Sequence, residues 1–157
     1  MAYLKYIYLI AEASAPLPPS RYWEHTDSPW TPLRKPLETS KVAILGSSGV
    51  HLKSDPPFGN ANDTSFRLIR RDTPATHLAL SHPAPINSPG KKDINVVFPL
   101  ERFLELETSG TIGRLADENP SIIGTIRDYD TVRDELGPTI AGHLRSQEVD
   151  LLCLFPL

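Results

Sequence analysis

A short apolar run halted by a pair of glycines constrains this chain more than any other feature. Lys41-Val-Ala-Ile-Leu45 is followed at once by Gly46-Ser-Ser-Gly49. Four consecutive apolar residues with no alternation suit a strand buried on both faces, as in a parallel sheet. The glycines permit a tight turn at its carboxyl end. Beyond the turn, Val50-His-Leu-Lys-Ser-Asp-Pro-Pro-Phe58 and Asp63-Thr-Ser-Phe66 are too rich in His, Lys and Asp to be mere connection.

The rest of the chain continues the alternation. Residues 76–81 read as a second strand and Asn95-Val-Val-Phe98 as a third. Pro99 suits the first position of a helix whose apolar face is Leu100, Phe103 and Leu104, with Gly110 as its stop. Asp130 or Thr131 begins another helix, with Thr131-Val-Arg-Asp134 resembling a capping box. Val132, Leu136, Ile140 and Leu144 recur along it every four residues, and Gly137-Pro138 should kink or split it. Residues 149–155 form the last strand. The prediction is an α/β domain over residues 41–157, with a mostly parallel sheet and helices on both faces.

Residues 1–40 read differently. Leu4, Ile7, Tyr8 and Ala11 follow helical spacing, so an amphipathic N-terminal helix is expected. Lys5 and Glu12 bracket too short an apolar run for a membrane span. Six of the chain's 16 prolines then fall between Pro16 and Pro36, among Tyr22, Trp23 and Trp30. Proline has no N–H and disfavours helix in the residue before it, so this stretch should be an extended arm. Its tryptophans are expected to pack against the domain or a partner chain.

Composition narrows the function classes. A net charge of −3 and no basic run argue against a dedicated nucleic-acid binder. One cysteine, Cys153, excludes an intrachain disulfide framework and a Cys-cluster zinc site, and a reducing, cytoplasmic setting is expected. Cys153 lies within the last apolar strand and reads as a small buried hydrophobe with a raised thiol pKa. Asn62-Asp-Thr64 matches a glycosylation sequon, but without an export signal it is read as chance.

Ligands of open parallel sheets gather beyond the carboxyl ends of the strands. Gly46-Ser-Ser-Gly49, Ser81-His82 and Phe155-Pro156 all fall at such ends. Gly46, Ser47, Ser48 and Gly49 can offer amides and hydroxyls to a carboxylate or phosphate, although the pattern is neither GxGxxG nor a Walker motif. Lys53 can pair with an acidic substrate. His51 and His82 can carry protons near neutral pH, with Asp55 and Asp63 as orienting carboxylates. The same His/Asp set admits a metal-assisted lyase or hydrolase on paper, though no short His-x-x-x-His spacing supports a metal. A solvated charged loop is the plain structural alternative.

Residues 42–58 and 63–66, Leu80-Ser-His82, Asp93-Ile-Asn-Val-Val-Phe-Pro99 and Val149-Asp-Leu-Leu-Cys-Leu-Phe-Pro156, taken in order, resemble the front portion of selenoprotein B in the glycine, sarcosine, betaine and D-proline reductase family. The resemblance implies a reductase acting on a small amino or carboxylate substrate. It also implies a reactive selenocysteine or cysteine just past the last strand, regenerated through thiols, and a pyruvoyl group carried by a partner subunit. A selenol ionises at lower pH than a thiol, and the ionised form is the nucleophile.

This chain departs from the family pattern in reading Pro83-Ala-Pro-Ile-Asn-Ser-Pro89 after His82, and no thiol follows Phe155. The expectation at Leu157 is therefore a frame interrupted at a selenocysteine codon, or a truncation, before the helix that should cover the last strand. The alternative is a non-catalytic or partner-dependent subunit that binds a small carboxylate or another chain, in a homo-oligomer or with a partner.

Overall fold

The computed structural model describes residues 30–59, 62–82, 88–124 and 126–156. The expected N-terminal helix, Trp23 and most of the proline-rich arm lie outside these residues. Trp30 lies within them and is 88% exposed.

The sheet is organised around β1 (Lys41–Gly46). β7 (Leu151–Phe155) lies parallel along one edge of β1, from Val42 opposite Leu151 to Gly46 opposite Phe155. The other edge is shared by two short strands laid end to end. β5 (Arg114–Leu115) pairs with the start of β1, and β6 (Glu118–Ser121) with its end, where Gly46 lies opposite Ser121. Both are parallel to β1. β3 (Arg67–Arg70) closes the outer side antiparallel to β6, with Leu68 opposite Pro120. β2 (Val50–Leu52) and β4 (Leu78–Leu80) form a separate antiparallel ribbon.

The expected α/β class is thus present: three strands run parallel to β1, and helices cover both faces. On one face Ile44, Leu115 and Phe98 are buried with Leu100, and Phe103, Leu104, Cys153 and Phe155 pack against them. After the short helix α1 (Ser88–Lys92), this side is covered by α2 (Leu100–Thr108), with Phe103 and Phe155 edge-to-face at 5.9 Å. On the other face Ala43 and Ile123 meet Leu136, Ile140 and Leu144. These come from a helical stretch composed of α3 (Tyr129–Thr131), a wide π turn (Val132–Leu136) and α4 (Gly137–Ser146). Each fully buried Ile, Leu or Phe contributes about 1.5–3 kcal/mol relative to exposure.

The break between β5 and β6 leaves a gap in the pairing of β1, and a side chain fills it. Asn119 is fully buried. Its Oδ1 accepts the N–H of Ile44 at 3.0 Å, and its Nδ2 donates to the carbonyl of Ala116 at 3.0 Å. A backbone hydrogen bond that the sheet cannot make here is replaced by an amide side chain.

Several local expectations are corrected. Residues 95–98 are not a strand. Ile94–Val96 is a 3₁₀ turn capped by Asp93, which accepts the N–H of Asn95 at 2.9 Å. Asn95 in turn accepts the N–H of Glu101 and donates to its carboxylate. These local side-chain bonds compete successfully with strand pairing. Pro99 is the N-cap of α2 rather than its first residue.

The second helical stretch starts earlier than Asp130, because Asp128 accepts both the N–H and the hydroxyl of Thr131. Asp134 pairs with Arg133 instead of closing a capping box. Gly137-Pro138 yields a π turn, in which Gly137 N–H reaches five residues back to Val132. Pro138, at the start of α4, offers no N–H for an α-type bond. Gly110 ends α2 as expected, at φ +73° with its N–H on the Glu107 carbonyl.

Candidate functional site

The turn after β1 and the end of the ribbon meet through the backbone. Ser47 N–H donates to the Phe155 carbonyl at 3.1 Å, joining the turn to the carboxyl end of β7. Gly49 N–H donates to Ile122 at 2.8 Å, just past β6. Ser81 and His82 N–H donate to the carbonyls of Gly49 and Ser48 at 3.0 and 3.3 Å. Gly46, Ser47, Ser48, Gly49, Ser81, His82 and Phe155 therefore gather at one end of the sheet. Gly49 takes φ +69°, a left-handed conformation that favours glycine.

These bonds also limit the turn. The amides of Ser47 and Gly49 are committed to carbonyls, and buried Ser48 aims its hydroxyl at the Val97 carbonyl at 3.4 Å. A carboxylate or phosphate would find neither amide free. Gly46 is needed for close packing, since a Cβ there would meet the Phe98 ring at 2.8 Å.

The two histidines are both buried, His51 within β2 and His82 just past β4. His51 lies opposite Ala79, and Val50 opposite Leu80. Side chains alternate faces along a strand, so His51, Ala79 and Ser81 share one face. Phe58 marks that face: its ring sits edge-on to His51 at 6.2 Å, and its N–H donates to the Ser81 hydroxyl. His82 lies past the end of the ribbon, where its N–H and that of Ser81 both donate to the turn after β1.

Nδ1 of His51 lies 2.7 Å from the Leu52 carbonyl. That contact requires a proton on Nδ1, so Nε2 of the neutral ring is the basic nitrogen. Burial lowers the pKa of His82, favouring its neutral ring.

The remaining charged candidates go to separate places. Asp63 organises its own loop, accepting the N–H of Gly59 at 2.6 Å and both the N–H and hydroxyl of Ser65. Partial burial pushes its pKa up, but these bonds and nearby Arg67 outweigh it and the net shift is downward. Asp55 closes a turn, its N–H donating to the Leu52 carbonyl. Lys53 lines a cleft of about 480 Å³ beside β4, with Lys91, Lys92 and Asp93 also in its wall.

Arg67 was not foreseen. Its guanidinium stacks 4.4 Å over the Phe58 ring and donates to Ser65 and the Pro56 carbonyl. Its place opening a basic-flanked apolar pair, Arg67-Leu-Ile-Arg70, is the only sequence signal it had.

Among the described residues no three His, Cys, Asp or Glu side chains come together as metal ligands. No helix among them is long and apolar enough to cross a membrane. Half-buried Cys153 faces the α2 side of the sheet, and burial raises its thiol pKa, in keeping with a packing role.

The fold and this end-of-sheet cluster define an α/β protein whose candidate site lies at the carboxyl ends of its parallel strands. The chain is related to a reductase subunit. It is 37% identical over 125 residues to D-proline reductase subunit gamma of Acetoanaerobium sticklandii, a match covering 80% of this chain and 52% of that protein. The chain thus spans about half the length of the curated relative it matches. That likeness supports the reductase relationship expected above but does not single out selenoprotein B of the glycine, sarcosine or betaine enzymes. No family model matches the chain, and no solved structure matches it.

Proposed function

We propose that this chain is the scaffold of a substrate site in a reductase resembling the D-proline reductase subunit, acting on a small cyclic or open-chain amino acid. The observation that carries this reading is the 37% identity over 80% of the chain. The meeting of the Gly46–Gly49 turn, His82 and the end of β7 supports the position of the site. A selenol or thiol carried past β7 would enter beside Ser47. The pyruvoyl group belongs, on the same reading, to a partner subunit. His82, buried and held neutral, would accept a proton from or donate one to the substrate. Substrate identity follows the relative's name, so D-proline is the first candidate.

A second reading has its own support. The committed turn amides favour a partner-dependent subunit that shapes a site completed elsewhere.

The test is consumption of D-proline, glycine, sarcosine and betaine, each with a dithiol as electron donor. The preparation is the protein isolated from its source with its co-purifying polypeptides. The reductase reading expects turnover of at least one substrate, reduced about a hundredfold in His82→Gln, within the range of general acid–base contributions. Turnover unchanged by H82Q supports the partner-dependent reading. No turnover of any of the four overturns the reductase reading.

A further inference from the structure

Two arginines are partly buried among the described residues, Arg67 and Arg71. Arg71 is matched by a carboxylate, its Nη2 donating to Glu107 at 2.8 Å. Arg67 has no carboxylate within ion-pair distance among the described residues. Its hydrogen bonds go to neutral oxygens instead. Nη1 donates to the Ser65 hydroxyl at 2.9 Å and the Phe66 carbonyl at 3.3 Å, and Nη2 donates to the Pro56 carbonyl at 3.3 Å. Three of the five N–H donors of a guanidinium are thereby used, and Nε–H is not among them.

These contacts fix the charge in place without neutralising it. The Ser65 hydroxyl gives its proton to Asp63, so its oxygen can only accept from Arg67. Asp63 feels the guanidinium charge but reaches it only through that hydroxyl. The guanidinium lies 4.4 Å over the Phe58 ring, and the same ring packs against His51 at 6.2 Å. Desolvating an arginine costs free energy, and folded proteins ordinarily match a buried one with an anion. A planar fork already oriented by stacking and neutral acceptors is preorganised for an anion from outside the domain.

The position of Arg67 puts that anion at the candidate site. Arg67 opens β3 opposite Ser121, and Ser121 lies opposite Gly46 at the end of β1. Arg67 thus stands two strand spacings, about 10 Å, from the turn. A second link runs through Phe58, whose N–H donates to the Ser81 hydroxyl while Ser81 N–H donates to the Gly49 carbonyl. The turn has its Ser47 and Gly49 amides committed to carbonyls, so it cannot offer them to a carboxylate. Arg67 supplies the donors that the turn lacks.

We propose that Arg67 takes the carboxylate of the substrate, with Phe58, Ser65 and Asp63 as positioning residues that hold the guanidinium in place. The assignment rests on the reductase reading for the class of substrate. D-proline, glycine, sarcosine and betaine all carry a carboxylate on the carbon next to nitrogen, so it does not depend on which of them is used.

The test is equilibrium dialysis against each of the four labelled compounds. It uses the protein with its co-purifying polypeptides and omits the dithiol, so that no turnover intervenes. The parent should bind at least one compound, and the matching carboxamide should compete at least about tenfold less well than the acid. Arg67→Gln should weaken binding about ten- to a hundredfold, the range of hydrogen bonds to charged groups, and should leave acid and amide competing within about twofold of each other. A purely structural role for Arg67 would not remove that discrimination. Arg67→Lys keeps the charge but not the planar fork and should recover only part of the loss. The unfolding transition should stay in place in both variants.

Binding that both variants leave unchanged, or a preference for acid over amide that survives in R67Q, overturns the proposal. So does a parent that binds none of the four. Unchanged binding with loss of the co-purifying polypeptides overturns it in favour of a partner's carboxylate as the anion. The reductase reading fails separately, when no compound is turned over; a preference lost in R67Q would still place a carboxylate on Arg67. Turnover by the parent with the preference intact in R67Q overturns the role of Arg67 and leaves the reductase reading standing.

Discussion

Replacing Asn119 with alanine should destabilise the domain far more than a polar-to-apolar change at a neighbouring buried site. Asn119 carries two hydrogen bonds at once, to Ile44 N–H and Ala116 C=O, both at 3.0 Å. Truncation leaves each of those backbone groups buried without its partner, at a cost of about 1–3 kcal/mol apiece. The sum is about 2–6 kcal/mol, a large share of the roughly 5–15 kcal/mol that holds a domain folded.

Ser121, two residues along the same strand, provides the control. It too is fully buried, but its hydroxyl has no hydrogen-bond partner. Ser121→Ala should therefore be neutral within about 0.5 kcal/mol or slightly stabilising. Asn119→Asp keeps the acceptor for Ile44 but loses the donor and introduces a buried carboxyl that resists ionisation. Relative to the parent, it should be least damaging at acid pH. Urea unfolding curves give all three values, and hydrogen exchange at the Ile44 amide reads the local bond. If N119A costs under about 1 kcal/mol, or no more than S121A, the reasoning that a side chain completes the ladder is wrong.

Gly49→Ala should cost about 1–2 kcal/mol by urea denaturation, because φ is +69° while the nearest atoms lie at an ordinary 3.4 Å. An equal cost for Gly142→Ala, a helical glycine with open space around it, would remove the backbone explanation. Burial lowers the pKa of His82 in the folded state, so the unfolded chain binds the proton more readily. Stability should then fall as pH drops below the unfolded value of about 6.5 toward the folded pKa, and His82→Gln should flatten that slope. The Cys153 thiol, with its pKa raised by burial, should react with a maleimide at pH 7 at least about tenfold more slowly in native protein than in urea. Equal rates would place the sulfur in water.

What sequence alone reveals here follows the range over which each signal acts. β1 and β7 are short apolar runs, α2 has a clean apolar face, and Gly110 and Gly49 sit where a left-handed residue is needed; all of these are local. β6 was invisible because Glu118-Asn-Pro-Ser121 has the composition of a turn. Its proline is tolerated because Asn119 supplies bonding to β1 that a longer run of backbone pairing would otherwise make.

The expected strand at residues 95–98 failed because Asp93 and Asn95 offer closer partners than any strand. The site shows the same division. Convergence at the strand ends was legible from the glycines and strand termini. That the turn's amides are already taken was not, because their acceptors, Phe155 and Ile122, are brought in only by long-range pairing.

The wide turn at Val132–Leu136 has a consequence for how the long helical stretch keeps its phase. Val132, Leu136, Ile140 and Leu144 are spaced by four, and on a regular helix each such step drifts about 40° around the axis. Over three steps the first and last would face directions about 120° apart, too far for one flat sheet to bury both. A turn wound through five residues takes up part of that drift, and all four side chains remain on the sheet side. The segment thus behaves as a helix with one residue of slack.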